Sequence, residues 1–166
     1  MSVCLLAFCF QHCAKNNVAN PDDLNQTDRE FIFNASLRNG AILQLADTAM
    51  VKTSDSAIKT LADTIVADYT KLETAFTSLA NGLSFFFPDS LDAKQLAFKI
   101  RLDSLSGRVF DSVYIHQLVI EHDSALASFN KEITEGFNVK LKFFASTWLP
   151  ALQRNRKTAD SLAKLY

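Results

Sequence analysis

Residues that break regular structure are scarce in this sequence, with four glycines and three prolines among 166 residues. So few leave room for few turns, which points to long elements joined by short connections. No cysteine follows Cys13, so the body can form no internal disulfide and offers no thiolate cage for a metal. Neither charge is in excess: seventeen basic residues face eighteen acidic ones, for a formal charge of −1. That balance removes the electrostatic footprint of a nucleic-acid binder, and no acidic block suggests a solvating tail. No apolar run approaches the ~20 residues that span a bilayer as a helix. Also missing are a nucleophile elbow, a phosphate-cradling glycine loop and a His-Glu-x-x-His pair. What is abundant is apolar surface, 48% of residues with fourteen phenylalanines, in a chain of one domain's length.

The start of the chain has the character of an address. Residues 3–10 read Val-Cys-Leu-Leu-Ala-Phe-Cys-Phe, a length typical of the apolar region of a secretory signal at ~7–15 residues. Cys13 closes that run and is followed by polar Ala-Lys-Asn-Asn, the arrangement of a lipid-bearing cysteine in a bacterial lipoprotein. The expectation is therefore residues 1–13 as an export segment with lipid at Cys13, 14–26 as a polar tether, and 27–166 as the body. The implied partner is the membrane, through the anchor, in the periplasm or outer membrane of a Gram-negative bacterium. No nucleic acid is expected, and the sequence names no protein partner.

Helical periodicity organises the body. Thr27 and Glu30 stand at capping-box spacing before a first helix carrying Phe31, Ala35, Ile42, Leu45 and Ala49. Ser54 is positioned to cap a second, whose Ile58, Leu61, Ile65, Tyr69, Leu72, Phe76 and Leu79 make the cleanest stripe in the chain. Asn81-Gly82 ends it, and Phe85, Phe86, Phe87 and Pro88 form an apolar connector. A shorter helix capped by Ser90 is predicted next, with Leu91, Ala97, Ile100 and Leu105 inward, until Ser106-Gly107 interrupts. The fourth runs from about Phe110 to Glu135 with Tyr114, Leu118, His122, Ala125, Phe129 and Ile133 on one side. Asn138 opens the last, with Leu141, Phe144, Trp148, Leu152, Asn155, Ala159 and Leu162 inward and Pro150 within it. No alternating strand pattern competes. The predicted fold is an all-α, ferritin-like four-helix bundle with one additional short helix, Trp148 and the phenylalanines forming its core.

Each long helix carries one polar or aromatic residue near its centre, on or beside the apolar stripe: Asn39, Tyr69, His122 and Asn155. Helices of similar length bring their midpoints to one level, so these four form a candidate central layer. Ferritin-like bundles place di-metal sites there, built from several carboxylates and two Glu-x-x-His pairs. Here the layer offers one imidazole, one phenol and two amides. Asp68 and Glu121 adjoin it in sequence, and Asp111 shares a face with His122, so these three are possible supporting acids. One imidazole and a neighbouring carboxylate do not hold a transition metal tightly. The expectation is a hydrogen-bonded structural layer with no metal, cofactor or catalytic residue, in a non-enzymatic binding or stress-related protein. The alternative is a metal-binding or redox protein with a degenerate site. His116 lies six residues before His122 on roughly the opposite face and is expected in solvent.

Several segments resemble the exported bacterial proteins of the domain of unknown function 4142. They are Asp28-Arg-Glu-Phe31, Leu45-Ala46, Ala67-Asp68-Tyr69, Leu105-Ser-Gly-Arg-Val-Phe-Asp-Ser-Val-Tyr114, Val119-Ile-Glu-His122 and Leu149-Pro-Ala-Leu-Gln-Arg-Asn155. The resemblance spans about residues 27–165 and implies a ferritin-like bundle in an exported protein. Family members usually have a glutamate near position 39, a histidine at position 69 and a histidine at position 155. This chain has Asn39, Tyr69 and Asn155 instead, and only His122 keeps the expected identity. The resemblance therefore implies the fold and the export, while a metal or acid–base site at these positions would be largely dismantled.

Overall fold

The computed structural model describes residues 22–85 and 92–166. Five helices follow in order: α1 (Gln26–Lys52), α2 (Ser56–Gly82), α3 (Ala93–Asp103), α4 (Gly107–Glu135) and α5 (Val139–Ala163). No strand occurs among the described residues. The export segment with Cys13, the tether up to residue 21, and the connector residues Phe86, Phe87, Pro88, Ser90 and Leu91 lie outside them.

The four long helices form a ring in which α1 packs on α2 and α4, and α5 packs on α2 and α4. Directions follow from contacts between the ends. Asp28 near the start of α1 accepts from Phe137 and Asn138, just past the end of α4, and Thr53 after α1 bonds Asp111 at the start of α4. α1 and α4 are thus antiparallel. Tyr166, beyond α5, donates to Asp55, the N-cap of α2, so α2 and α5 are antiparallel too. Since α2 also turns back on α1, it runs parallel to α4, and the chain must travel the length of the bundle between them. α3 covers the later part of that journey along the outside of α1: Gln95 near its start donates to the Leu37 carbonyl towards the middle of α1, and Lys52 at the end of α1 donates to the Asp103 carbonyl at the end of α3. One long crossover of this kind distinguishes the ferritin-like bundle from the up-down-up-down type.

Helix ends depart from expectation by a residue or two. α1 is capped by a box of Asn25 and Asp28, not Thr27 and Glu30; Glu30 pairs with Lys131 on α4 instead. Asp55 rather than Ser54 caps α2, and Asp92 with Gln95 caps α3. In each case the side-chain oxygen of an acid or amide accepts from the exposed N–H groups. The body also begins before residue 27, because Asp22 pairs with Lys140 and the Asp23 carbonyl accepts from Asn138. Gly107 takes φ +57° at the first position of α4, a left-handed conformation suited to glycine. α5 runs through Pro150 without ending, although the Ser146 carbonyl loses its helical donor there.

The core is layered. Phe31, Phe76, Phe129 and Phe144, one from each long helix, meet edge-on or tilted with ring centroids 5.0–6.4 Å apart. Two expectations about burial fail. In α3, Ala97 and Ile100 face solvent while Gln95 and Leu102 are buried, because that helix lies outside the ring and touches it through a single stripe. The phenylalanines are not all core: Phe33, Phe137 and Phe143 are exposed, and Trp148 is only half-buried.

Candidate functional site

Antiparallel register between α1 and α4 is fixed by the Glu30–Lys131 and Arg38–Glu121 pairs, which sets Asn39 level with Glu121 and His122. Register between α2 and α5 is fixed by Asp68, which receives Arg154 at 2.7 Å and Asn155 at 3.0 Å. The Tyr69 and His122 rings join the two halves across the core, edge to face with centroids 5.8 Å apart. All four central residues, Asn39, Tyr69, His122 and Asn155, are at most 1% exposed.

Their hydrogen bonding is incomplete. His122 Nδ1 lies 2.9 Å from the Leu118 carbonyl, one turn back on its own helix. A carbonyl can only accept, so Nδ1 carries the proton and Nε2 presents a lone pair to the core. Nε2 has no protein partner, nor do the Tyr69 hydroxyl or either end of the Asn39 amide. The expected partners are one another, a nearby carboxylate or trapped water; among the four only Asn155 has a side-chain partner, the Asp68 carboxylate. Burial dominates the electrostatics. It pulls the His122 pKa from 6.5 down to about 4, against smaller opposing effects of the Leu118 bond and of Asp123 and Glu121. It also pushes the Tyr69 hydroxyl well above its usual range, with Asp68 adding to the effect. At neutral pH the layer is therefore uncharged.

None of the three candidate acids turns toward His122. Asp68 faces Arg154 and Asn155. Glu121 is held by Arg38 at 2.8 Å and by Gln117 at 2.8 Å. Asp111 accepts from Thr53 at 2.6 Å, near the other end of α4. Among the described residues no three His, Cys, Asp or Glu side chains gather in a metal-holding group. The donor set thus does not fit the di-metal centre that a ferritin-like fold implies: the layer brings one imidazole nitrogen, a phenol and two amides, and no carboxylate that faces His122. His116 is exposed and bonds only the Ser112 carbonyl.

A second buried polar cluster was not foreseen. Asp28 and Glu132 are both fully buried where the start of α1 meets the end of α4. Asp28 takes three backbone N–H groups, from Asn25 at 2.6 Å and from Phe137 and Asn138 at 3.0 Å each. Glu132 has no such support, since no N–H reaches either oxygen. Burial first, then its hydrogen bond to Asp28 and that group's charge, push the Glu132 pKa from 4.5 up to about 8, with Lys142 opposing weakly. At pH 7 Glu132 is therefore held mainly in its neutral, protonated form beside Asp28. Gly136 makes room for it, because a Cβ there would collide with the Glu132 carboxyl. Both acids follow helical spacing from core residues, Asp28 three before Phe31 and Glu132 three after Phe129, which is the signal that could have found them.

The domain of unknown function DUF4142 matches residues 13–162 of this sequence. The chain belongs to that family. No curated protein matches this DUF4142 chain significantly. Among solved structures, a fragment of a DUF305 protein from Deinococcus radiodurans superposes with a TM-score of 0.75. Identity is 10%, over 86% of the DUF4142 chain and 99% of the fragment, a likeness of fold alone.

Proposed function

We propose that this DUF4142 chain is an exported, non-catalytic helical bundle, anchored to the cell envelope by lipid at Cys13, with a binding or stress-related role. The observation that carries the non-catalytic reading is the chemistry of the central layer. A single neutral imidazole stands among a phenol and amides, and the nearby carboxylates Glu121, Asp111 and Asp68 are held by Arg38, Thr53, and Arg154 with Asn155, none of them by His122. Two further features agree. The grooves beneath α3 and between α2 and α5 are lined by none of the four central residues. Among the described residues no helix is long and apolar enough to cross a membrane, and the anchor is placed at Cys13 in this reading. Two or three acyl chains at ~0.8 kcal/mol per buried methylene suffice for stable attachment.

Fractionation of the host tests the address. Wild type belongs in the membrane fraction and Cys13→Ser in the soluble fraction. Wild type found wholly soluble removes the anchor from the proposal. One observation favours the second reading, a metal-binding or redox protein: the unpartnered Nε2 lone pair of His122 is the form of imidazole that ligates metal.

A further inference from the structure

Ten large apolar side chains are exposed among the described residues, most of them dispersed. Phe137, Val139 and Phe143 are different. They lie within seven residues of one another at the α4–α5 corner and the first turns of α5, at 50%, 65% and 73% exposure. Val139 and Phe143 are four residues apart and so share a helix face. That face continues into an apolar groove between α2 and α5, formed with Ala75, Leu79 and Trp148. A single exposed phenylalanine is ordinary; a contiguous apolar face is a contact surface.

The chain itself indicates what covers it. The described residues begin beside this face, where Asp22 pairs with Lys140 at 2.6 Å. Cys13 stands nine residues before Asp22, a span of at most ~30 Å when fully extended. The bundle is longer, since its 27-residue helices rise ~40 Å. A bilayer holding Cys13 is thus kept nearest the end of the bundle that carries the apolar face. Lys140, the one charged residue lining the groove among those described, is paired with Asp22.

We propose that Phe137, Val139 and Phe143 form a lipid-facing patch that seats this end of the bundle on the bilayer to which Cys13 is attached. The proposal rests on the reading of Cys13 as the lipid anchor. The patch orients the body, leaving its opposite end, with Val109 and Tyr166, directed away from the membrane.

Trp148 is the only tryptophan, which allows a site-specific optical test. In a Trp148→Phe background, one reporter is placed in the patch by Phe143→Trp and another at the far end by Val109→Trp, exposed at 61%. Each full chain is extracted from host membranes and reconstituted into phosphatidylcholine vesicles with or without acyl-chain bromination. The expected result is at least two-fold quenching at position 143 and none at 109, unchanged by salt. Co-sedimentation with vesicles but no quenching at 143, or equal quenching at both sites, overturns the patch and leaves the anchor standing. A blue-shifted but unquenched reporter at 143 also overturns it, in favour of a second copy of the chain covering the face. A chain that carries no lipid and does not co-sediment overturns the patch and the anchor together.

Discussion

Replacing Glu132 by glutamine should abolish a pH dependence that the structure builds into the protein. Glu132 is fully buried, and its pKa is raised from 4.5 to about 8 by burial and by Asp28. Between those values the folded state holds a proton that the unfolded state has released, so stability must fall as pH rises. The contribution is complete below pH 4.5 and lost once pH passes 8. His122 acts in the opposite sense. Its folded pKa is lowered from 6.5 to about 4, so the unfolded state binds the extra proton and stability rises with pH over that window. From about pH 4.5 to 6.5 the two slopes oppose each other, and above 6.5 only that of Glu132 remains. At 1.36 kcal/mol per unit, wild type should lose about 2 kcal/mol between pH 6.5 and 8, or roughly 5 °C in Tm for a domain of this size. Glu132→Gln keeps a neutral polar side chain of the same shape beside Asp28 and cannot titrate. Its Tm should stay level from pH 6.5 to 8 and fall on acidification from 6.5 to 4, where the His122 slope is unmasked. Thermal unfolding followed by circular dichroism at constant ionic strength measures both. A wild-type Tm that is flat or rising from pH 6.5 to 8, or a variant that keeps the wild-type fall, refutes the buried proton.

Three further substitutions examine the polar groups one at a time. Tyr69→Phe removes a buried hydroxyl that has no protein partner and should leave stability unchanged or raise it by up to ~1 kcal/mol; a loss beyond ~1 kcal/mol in urea unfolding would mean that the hydroxyl is bonded. Asp28→Ala strips the acceptor from three backbone N–H groups and should cost about 3 kcal/mol or more, whereas a cost below 1 kcal/mol contradicts its role in tying α1 to the α4–α5 corner. His122→Leu exchanges a half-bonded imidazole for an apolar side chain of similar reach. It should change stability at pH 7 by no more than about 1.5 kcal/mol, and its stability should fall steadily from pH 4.5 to 8, because the opposing histidine slope is gone.

The fold was legible because its periodicity is unambiguous. The stripe from Ile58 to Leu79 lies on α2, where all but its last residue are buried, and the scarcity of glycine and proline left long helices as the only arrangement. The crossover between α2 and α4 was readable from the length of chain between Gly82 and Gly107. Caps were read less well, since serine, threonine, asparagine and aspartate crowd each boundary and only local geometry chooses among them. α3 was misread because a helix outside the ring buries one narrow stripe, through Gln95 and Leu102, that apolar periodicity does not mark. In the central layer, position along each helix indicated which residues share a level. It could not show that Asp68 turns to Arg154 and Asn155, or that Asp111 lies far enough along α4 to serve Thr53. Glu132 escaped notice because a glutamate on an apolar stripe is ordinarily placed at the edge in solvent, and only its proximity to Asp28 and Gly136 makes a neutral buried carboxyl intelligible.

Metal stoichiometry tests the non-catalytic reading most directly. The full chain is purified from the host after growth with added iron, manganese, copper or zinc, and the metal bound per chain is measured beside His122→Leu. The expected result is well under 0.1 equivalents of any metal in both proteins, with identical unfolding curves before and after chelation. One equivalent or more in wild type, lost in His122→Leu, would contradict it and establish the metal-binding reading in its place.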